Sequence, residues 1–409
     1  MAWTLGPGAM VAAAFIGPGT VTTAIAAGVT TGAGLLWAVL LSIVATVVLQ
    51  ELALRSALVT QRDLAALMRD LGRDRWWGAV VVTLIIVALG AGNAAYQSGN
   101  LLGASLGVNA ALGVAAATTG DMTMLADAGS VAIVLVSLLA AALILRNRYH
   151  WLERSLVSLV AIMALGFLGL AVVMLPTIVQ TPPTFWVPRF DASHITLSLA
   201  LIGTTVVPYN LFLHATAVRK RWHDSAAALT AARRESLVSI LLGGLITIAI
   251  VLIATVAAVN HGANTPLESV MQGLDQRFPF YGVAMLGLGL FAAGFTSALA
   301  APVAAGWAVC GAMGWSTEHT SWGFRAVALS VLATGTAFAL LATRPDALII
   351  SAQATNGLLL PLVAWVLLAV ANSERLLGAY RNNWVLNGVG VPVVCLVTGL
   401  ALRKLMMLI

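Results

Sequence analysis

Apolar residues in this chain run in long unbroken blocks rather than at alternate positions or along one helical face. Blocks of roughly 20 residues suit a hydrocarbon core of about 30 Å crossed by helices. Eleven spans are predicted, at approximately 6–30, 35–58, 78–106, 127–146, 152–175, 194–217, 236–260, 280–312, 322–343, 347–371 and 384–405. The polar segments between them share their basic residues unevenly. With the N-terminus in the cytoplasm, sixteen of the 21 Lys and Arg fall on the cytoplasmic side, among them Arg55, Arg62, Arg69, Arg73, Arg219, Lys220 and Arg221. Arg189, Arg277, Arg344, Arg403 and Lys404 fall outside. The positive-inside rule then predicts a multi-pass protein of a plasma membrane, the inner membrane in a bacterium, with its N-terminus cytoplasmic and its C-terminus outside.

Two spans carry an interruption. Gly17-Pro18-Gly19-Thr20 lies in the first and Val207-Pro208-Tyr209-Asn210 in the sixth, 190 positions later. Proline removes a backbone donor and clashes with the preceding turn. In lipid the freed groups must find protein, water or a substrate. A broken helix offers carbonyls at one open end, which favour cations, and amides at the other, which favour anions. A pair of such breaks predicts a carrier site near the midplane, built between two repeats. Spans 1–5 and 6–10 form two five-helix halves, approximately 1–176 and 190–372, inverted because each holds an odd number of helices. The helix at 384–405 is an addition, and residues 1–409 make one transmembrane domain. The competing reading, a proline kink capped by Ser or Thr with no ligand, fits one break better than two in register.

Composition narrows the function. Hydrophobic residues make up 60% and charged residues 9%, which excludes an ordinary soluble enzyme. No metal triad, nucleophile with base or phosphate loop occurs, and no cofactor is expected. A net charge of +6 over 409 residues does not imply nucleic acid. The two cysteines, Cys310 and Cys395, give neither a disulfide framework nor a zinc spacing. The expected partners are a small-molecule or ion substrate and the bilayer, with a monomeric transport unit. None of the fifteen acidic residues falls at a predicted midplane. Glu51 comes nearest and is expected to pair with an arginine. His214 is the one histidine well inside a span, and reads as a packing residue or a proton relay. Trp76, Trp77, Trp151, Trp186, Trp222 and Trp384 lie near span ends, as an aromatic belt does.

Several motifs resemble those of the Nramp divalent-metal transporters. Val207-Pro208-Tyr209-Asn210 with His214 is similar to their Met-Pro-His-Asn-x-x-x-His signature, and Gly17-Pro18-Gly19-Thr20 to their Asp-Pro-Gly-Asn. Gln50 to Asp70, with Glu51, Arg55 and Arg62-Asp63-Leu64, resembles their second helix and the loop after it. Gly294-Phe295-Thr296-Ser297 resembles their eighth helix, and Ser351-Ala352-Gln353 with Pro361 their tenth. The resemblance covers nearly all eleven spans. It implies an all-α polytopic membrane protein of the LeuT-type fold, a 5+5 inverted repeat with broken helices 1 and 6 and an eleventh helix.

It also implies a site: Ala14, Gly17, Thr20, Thr204, Val207, Tyr209, Asn210 and Gln353 against the substrate, with His214, Asn93 and Tyr96 along a proton path. The departures are chemical. The family's first-signature Asp and Asn are Gly17 and Thr20 here, its Met is Val207, its second-signature His is Tyr209, and its acidic pair on the third helix corresponds to Asn93 and Tyr96. A divalent ion usually needs carboxylate charge to offset dehydration. The expectation is therefore an alternating-access transporter of a weakly bound Mg2+ or Mn2+-like ion, held at best through Thr20, Gln353 and the carbonyls of Ala14 and Thr204, without obligatory proton coupling. A small anion or a zwitterion on the amide ends is the alternative. A third is a non-transporting sensor, which would be expected to bring a soluble output domain.

Overall fold

The computed structural model describes residues 16–73, 76–119, 128–146, 149–222, 226–257, 265–279 and 281–407. Its spans are helical throughout. In chain order they are α1 (Pro18–Thr31), α2 (Leu36–Thr60), α3 (Leu64–Leu71), α4 (Gly78–Ile86), α5 (Gly92–Thr119), α6 (Ala128–Arg146), α7 (Tyr149–Val179), α8 (Ile195–Thr205), α9 (Pro208–Arg221), α10 (Ala226–Ala257), α11 (Pro266–Arg277), α12 (Tyr281–Met313), α13 (Trp322–Leu340), α14 (Pro345–Asn372) and α15 (Trp384–Met406).

Ten helical runs among the described residues are long and apolar enough to cross a membrane. The first, Pro18–Thr31 with Leu36–Thr60, holds two helices joined by a 3-10 turn at Gly32, whose φ of 60° is left-handed. Counted apart, these runs correspond to the eleven predicted spans. Residues 6–15 of the first predicted span lie outside the described residues. One π turn, Val87–Ala91, joins α4 to α5 within the third span.

Burial ranks the helices. In the run that holds α8 and α9, 89% of the apolar window is buried; in α15 the figure is 28%. The interrupted span is thus central, and the last helix sits at the edge against α14 and α2. Lipid tails are as apolar as leucine, so close association rests on small residues that let backbones approach. A Cβ on Gly287 of α12 would lie 2.8 Å from Ala110 of α5, and one on Gly103 of α5 only 2.1 Å from Pro18 of α1. Gly90 is under no such constraint, since its added Cβ would meet only a Val309 methyl at an ordinary 3.9 Å.

Charge collects at one end of the bundle. Arg55 is 2% exposed and is held by Glu51 at 2.9 Å, one turn earlier on α2, and by Asn382 and the Tyr380 carbonyl. Arg233 of α10 binds the same Glu51 at 2.5 Å. The predicted pairing of Glu51 with an arginine is met twice. Removing either partner of a buried pair leaves its charge uncompensated, so this cluster pins α2 to α10 and to the segment before α15. The short helix α3 buries Leu64, Ala65, Leu67 and Met68. It is tied to α9 by Asp63–Arg219 at 2.8 Å and to the end of α12 by Arg69, which donates to the Gly311 carbonyl at 3.1 Å. Partial burial pushes the Asp70 carboxyl up, but the guanidinium groups of Arg62 and Arg69 pull harder and hold it below its ordinary value. On another connection α11 starts with a capping box, Thr265 and Glu268 each binding the other's backbone amide.

Candidate functional site at two helix breaks

The first break is visible from Gly17 onward. Gly17 is extended (φ −78°, ψ 168°), and Pro18 opens α1 at a position where the missing N–H costs nothing. The second has the same form. Residue Val206 leaves the helix (φ −99°, ψ 66°), Val207 is extended (φ −73°, ψ 126°), and Pro208 opens α9. A residue before proline is steered out of the helical region, and at each break the extended residue is the one before proline. Neither Gly17 nor Val207 can accept with a side chain, so both N-termini lack a side-chain cap. The Asn210 amide turns back to the Val207 carbonyl at 3.0 Å and the Val206 amide to the Ile202 carbonyl at 2.8 Å, while the carbonyls after Ile202 in the last turn of α8 have no partner within the helix.

These two breaks meet. The hydroxyl of Thr20, in the first turn of α1, lies 2.9 Å from that of Thr204, in the last turn of α8. Between them runs α14. A Cβ on Gly19 would fall 2.0 Å from the Gln353 side-chain nitrogen, and one on Gly203 would fall 2.1 Å from the Gln353 carbonyl. Gln353 is therefore wedged against both interrupted helices. Thr20, Thr204, Val207, Asn210 and Gln353 are all buried. Both amide atoms of Gln353, both of Asn210 and the amide nitrogen of Asn356 lack a protein hydrogen-bond partner. Buried polar groups are normally paired. Unpaired ones at and beside two helix ends mark a candidate site, and none of these side chains is charged.

The other predicted residues divide. Ala14 lies outside the described residues. Tyr209 packs its ring 5.3 Å from that of Tyr96, and both are fully buried. Asn93 is spent on α12, where its amide donates to the Ala301 carbonyl at 3.3 Å. His214 lies further along α9, where its Nδ1 donates to the Gln50 side-chain oxygen of α2 at 2.7 Å. Asn356, Ser297 and Asn100 lie outside the predicted site. Asn356 had a readable signal, since it follows Gln353 by three positions and shares its helical face. On α5, Gln97 donates to the Ala298 carbonyl of α12 at 3.1 Å and Asn100 to Gln97 at 3.3 Å. No group of three His, Cys, Asp or Glu able to hold a metal occurs among the described residues.

The chain resembles known proteins over nearly its whole length. The family model described as natural resistance-associated macrophage protein-like matches residues 8–407. The divalent metal cation transporter MntH of Verminephrobacter eiseniae is 28% identical over 406 residues, covering 96% of this chain and 86% of that protein. MntH 1 of Pseudomonas aeruginosa is 28% identical over 407 residues, covering 94% and 87%. A solved structure of the Eremococcus coleocola manganese transporter superposes with a TM-score of 0.74 at 20% identity, over 97% of this chain and 85% of that one. The nucleobase-cation-symport-1 family transporter Mhp1, in a closed conformation, gives 0.58 at 14% identity, over 98% and 91%.

Proposed function

The chain belongs to the Nramp family, and from that premise we propose that it carries a divalent metal ion across the membrane by alternating access, at the junction of the two broken helices. The observation that carries this reading is the 2.9 Å contact of Thr20 with Thr204, with the unpaired Gln353 amide wedged beside it. Open carbonyls at the end of α8 present the partial negative charge a cation needs. Thr20, Asn210 and Gln353 add neutral oxygens. The relatives named above are divalent metal cation transporters, which favours metal over the anion or zwitterion that the amide ends would also suit.

The donor set decides how the ion is held. With Gly17 and Thr20 at the first break and Val207 at the second, the junction offers neither a carboxylate nor a thioether. Neutral oxygens replace few waters, and magnesium in particular sheds its waters reluctantly. The ion is bound weakly and keeps part of its hydration shell. Coupling to protons normally rests on an intramembrane ionisable group. Asn93 and Tyr96 supply no acid on α5, so metal moves without an obligatory proton. The bundle is oriented with the Arg-rich ends of α2, α3 and α9 in the cytoplasm, and one chain makes one transport unit.

Uptake into proteoliposomes tests the reading. Mg2+ and Mn2+ should accumulate down their gradients and compete with each other. Uptake of labelled small anions or amino acids, with none of metal, would move the protein to the alternative class. A second measurement concerns His214. Its partner is a neutral amide, so His214→Ala should leave the pH profile of uptake unchanged. It should lower stability by about 1–3 kcal/mol, because Gln50 is left buried with an unmet acceptor. A profile that flattens in His214→Ala would make the histidine a relay.

A further inference from the structure

A cleft of about 720 Å³ opens far from the helix breaks, between α3, the start of α4 and the end of α12. Its rim is polar, formed by Arg69, Asp70 and Arg73; its wall is apolar, formed by Val82, Ile86 and Met313. The wall follows from helical spacing, since Val82 and Ile86 lie one turn apart, as do Ala79 and Thr83. The cleft's shape is fixed by two glycines: a Cβ on Gly78 would meet the Gly72 carbonyl at 2.2 Å, so the chain can close here only without side chains.

Its charges are unequal. Asp70 is engaged by Arg62 and by Arg69, whose Nε donates to it at 3.3 Å. Arg69 gives a second N–H to the Gly311 carbonyl and keeps others for a further acceptor. Arg73 is exposed, and among the described residues its guanidinium meets no partner. Trp76, 89% exposed, and Trp77 stand immediately before α4 in the chain, where tryptophans suit a membrane–water interface.

We propose that this cleft holds an anionic phospholipid, its phosphate on Arg73 and Arg69 and an acyl chain along Val82, Ile86 and Met313. The occupant must be anionic to meet the Arg73 guanidinium and the N–H groups that Arg69 has left, and chain-bearing to cover the wall. A free phosphate would leave that apolar lane bare. Bound there, the lipid ties α3 to α4 and to the end of α12. Through Asp63 and Arg219 the same helix α3 reaches α9, the second half of the central broken span.

Native mass spectrometry of the detergent-purified full chain tests this, with phosphatidylglycerol or phosphatidylcholine added. Wild type should retain phosphatidylglycerol and not phosphatidylcholine. Arg69→Gln with Arg73→Gln should bind phosphatidylglycerol roughly thirty-fold more weakly. Ala79→Trp, which fills the lane and leaves both charges, should lose it too. Arg234→Gln, an exposed arginine elsewhere, should change nothing. Equal phosphatidylglycerol retention by wild type and both cleft variants would overturn the proposal. So would an equal loss in Arg234→Gln, or a thermal shift with inorganic phosphate as large as that with phosphatidylglycerol. Metal uptake in liposomes of phosphatidylcholine alone separates this question from the transport function, because loss of the lipid site leaves the two helix breaks intact.

Discussion

Gly17→Asp combined with Thr20→Asn is expected to bind manganese on the order of a hundredfold more tightly than the wild-type chain. The first change puts a carboxylate at the N-terminus of α1. Gly17 is already extended there, in the backbone geometry an N-cap aspartate adopts, so the fold should accept it. The second replaces a hydroxyl engaged with Thr204 by a longer side chain carrying a carbonyl oxygen. Together they turn a neutral junction into one with formal negative charge. That charge is what a dehydrated Mn2+ requires and a hydrated Mg2+ does not. Isothermal titration of both metals on both proteins reads the effect, and the gain should be larger for manganese. Unchanged manganese affinity would mean that positions 17 and 20 do not face the ion.

The second large effect is steric. Gly203→Ala should cost about 3 kcal/mol or more and abolish uptake. Its Cβ would sit 2.1 Å from the Gln353 carbonyl and 2.4 Å from the Gly357 nitrogen. Both are backbone atoms, so no side chain can swing aside. The helices α8 and α14 would have to part, and Thr204 would be carried with α8. Gly399→Ala is the control, because nothing lies within 4 Å of the added atom. Thermal unfolding in detergent and uptake in liposomes should fall together in the first variant and stay at wild-type values in the second.

Which parts of this architecture could be read from the chain follows from the kind of signal each one leaves. Long apolar blocks announce spans because lipid tolerates little else, and the predicted spans match helices. Proline alone does not announce a break. Pro176, Pro302, Pro361 and Pro392 sit inside continuous helices, whereas Pro18 and Pro208 begin new ones. The difference is context. Gly17 and Gly19 flank Pro18, and Pro208 is followed by Tyr209 and Asn210 opposite a matching interruption in the other half. The helices α3 and α11 went unread, since they are too short to form apolar blocks and lie in polar connections.

The candidate site's residues could be named from the chain, but their contacts could not. Thr20 and Thr204 are 184 positions apart, and only the folded chain brings their hydroxyls together. The partner of His214 was invisible for the same reason: Gln50 lies 164 positions away on α2. The resemblance aligned the chain with an acid-bearing third helix. At those positions this chain instead uses Asn93 to bind a backbone carbonyl of α12, a packing role that no spacing reveals.

The central claim is an uncharged junction of two broken helices that passes a divalent ion without a proton. Proteoliposomes loaded with a pH-sensitive dye and a metal-sensitive dye, at symmetric pH and with an inward Mn2+ or Mg2+ gradient, test it most directly. The account predicts metal entry with no change in internal pH. Internal acidification that rises in step with metal entry would contradict it.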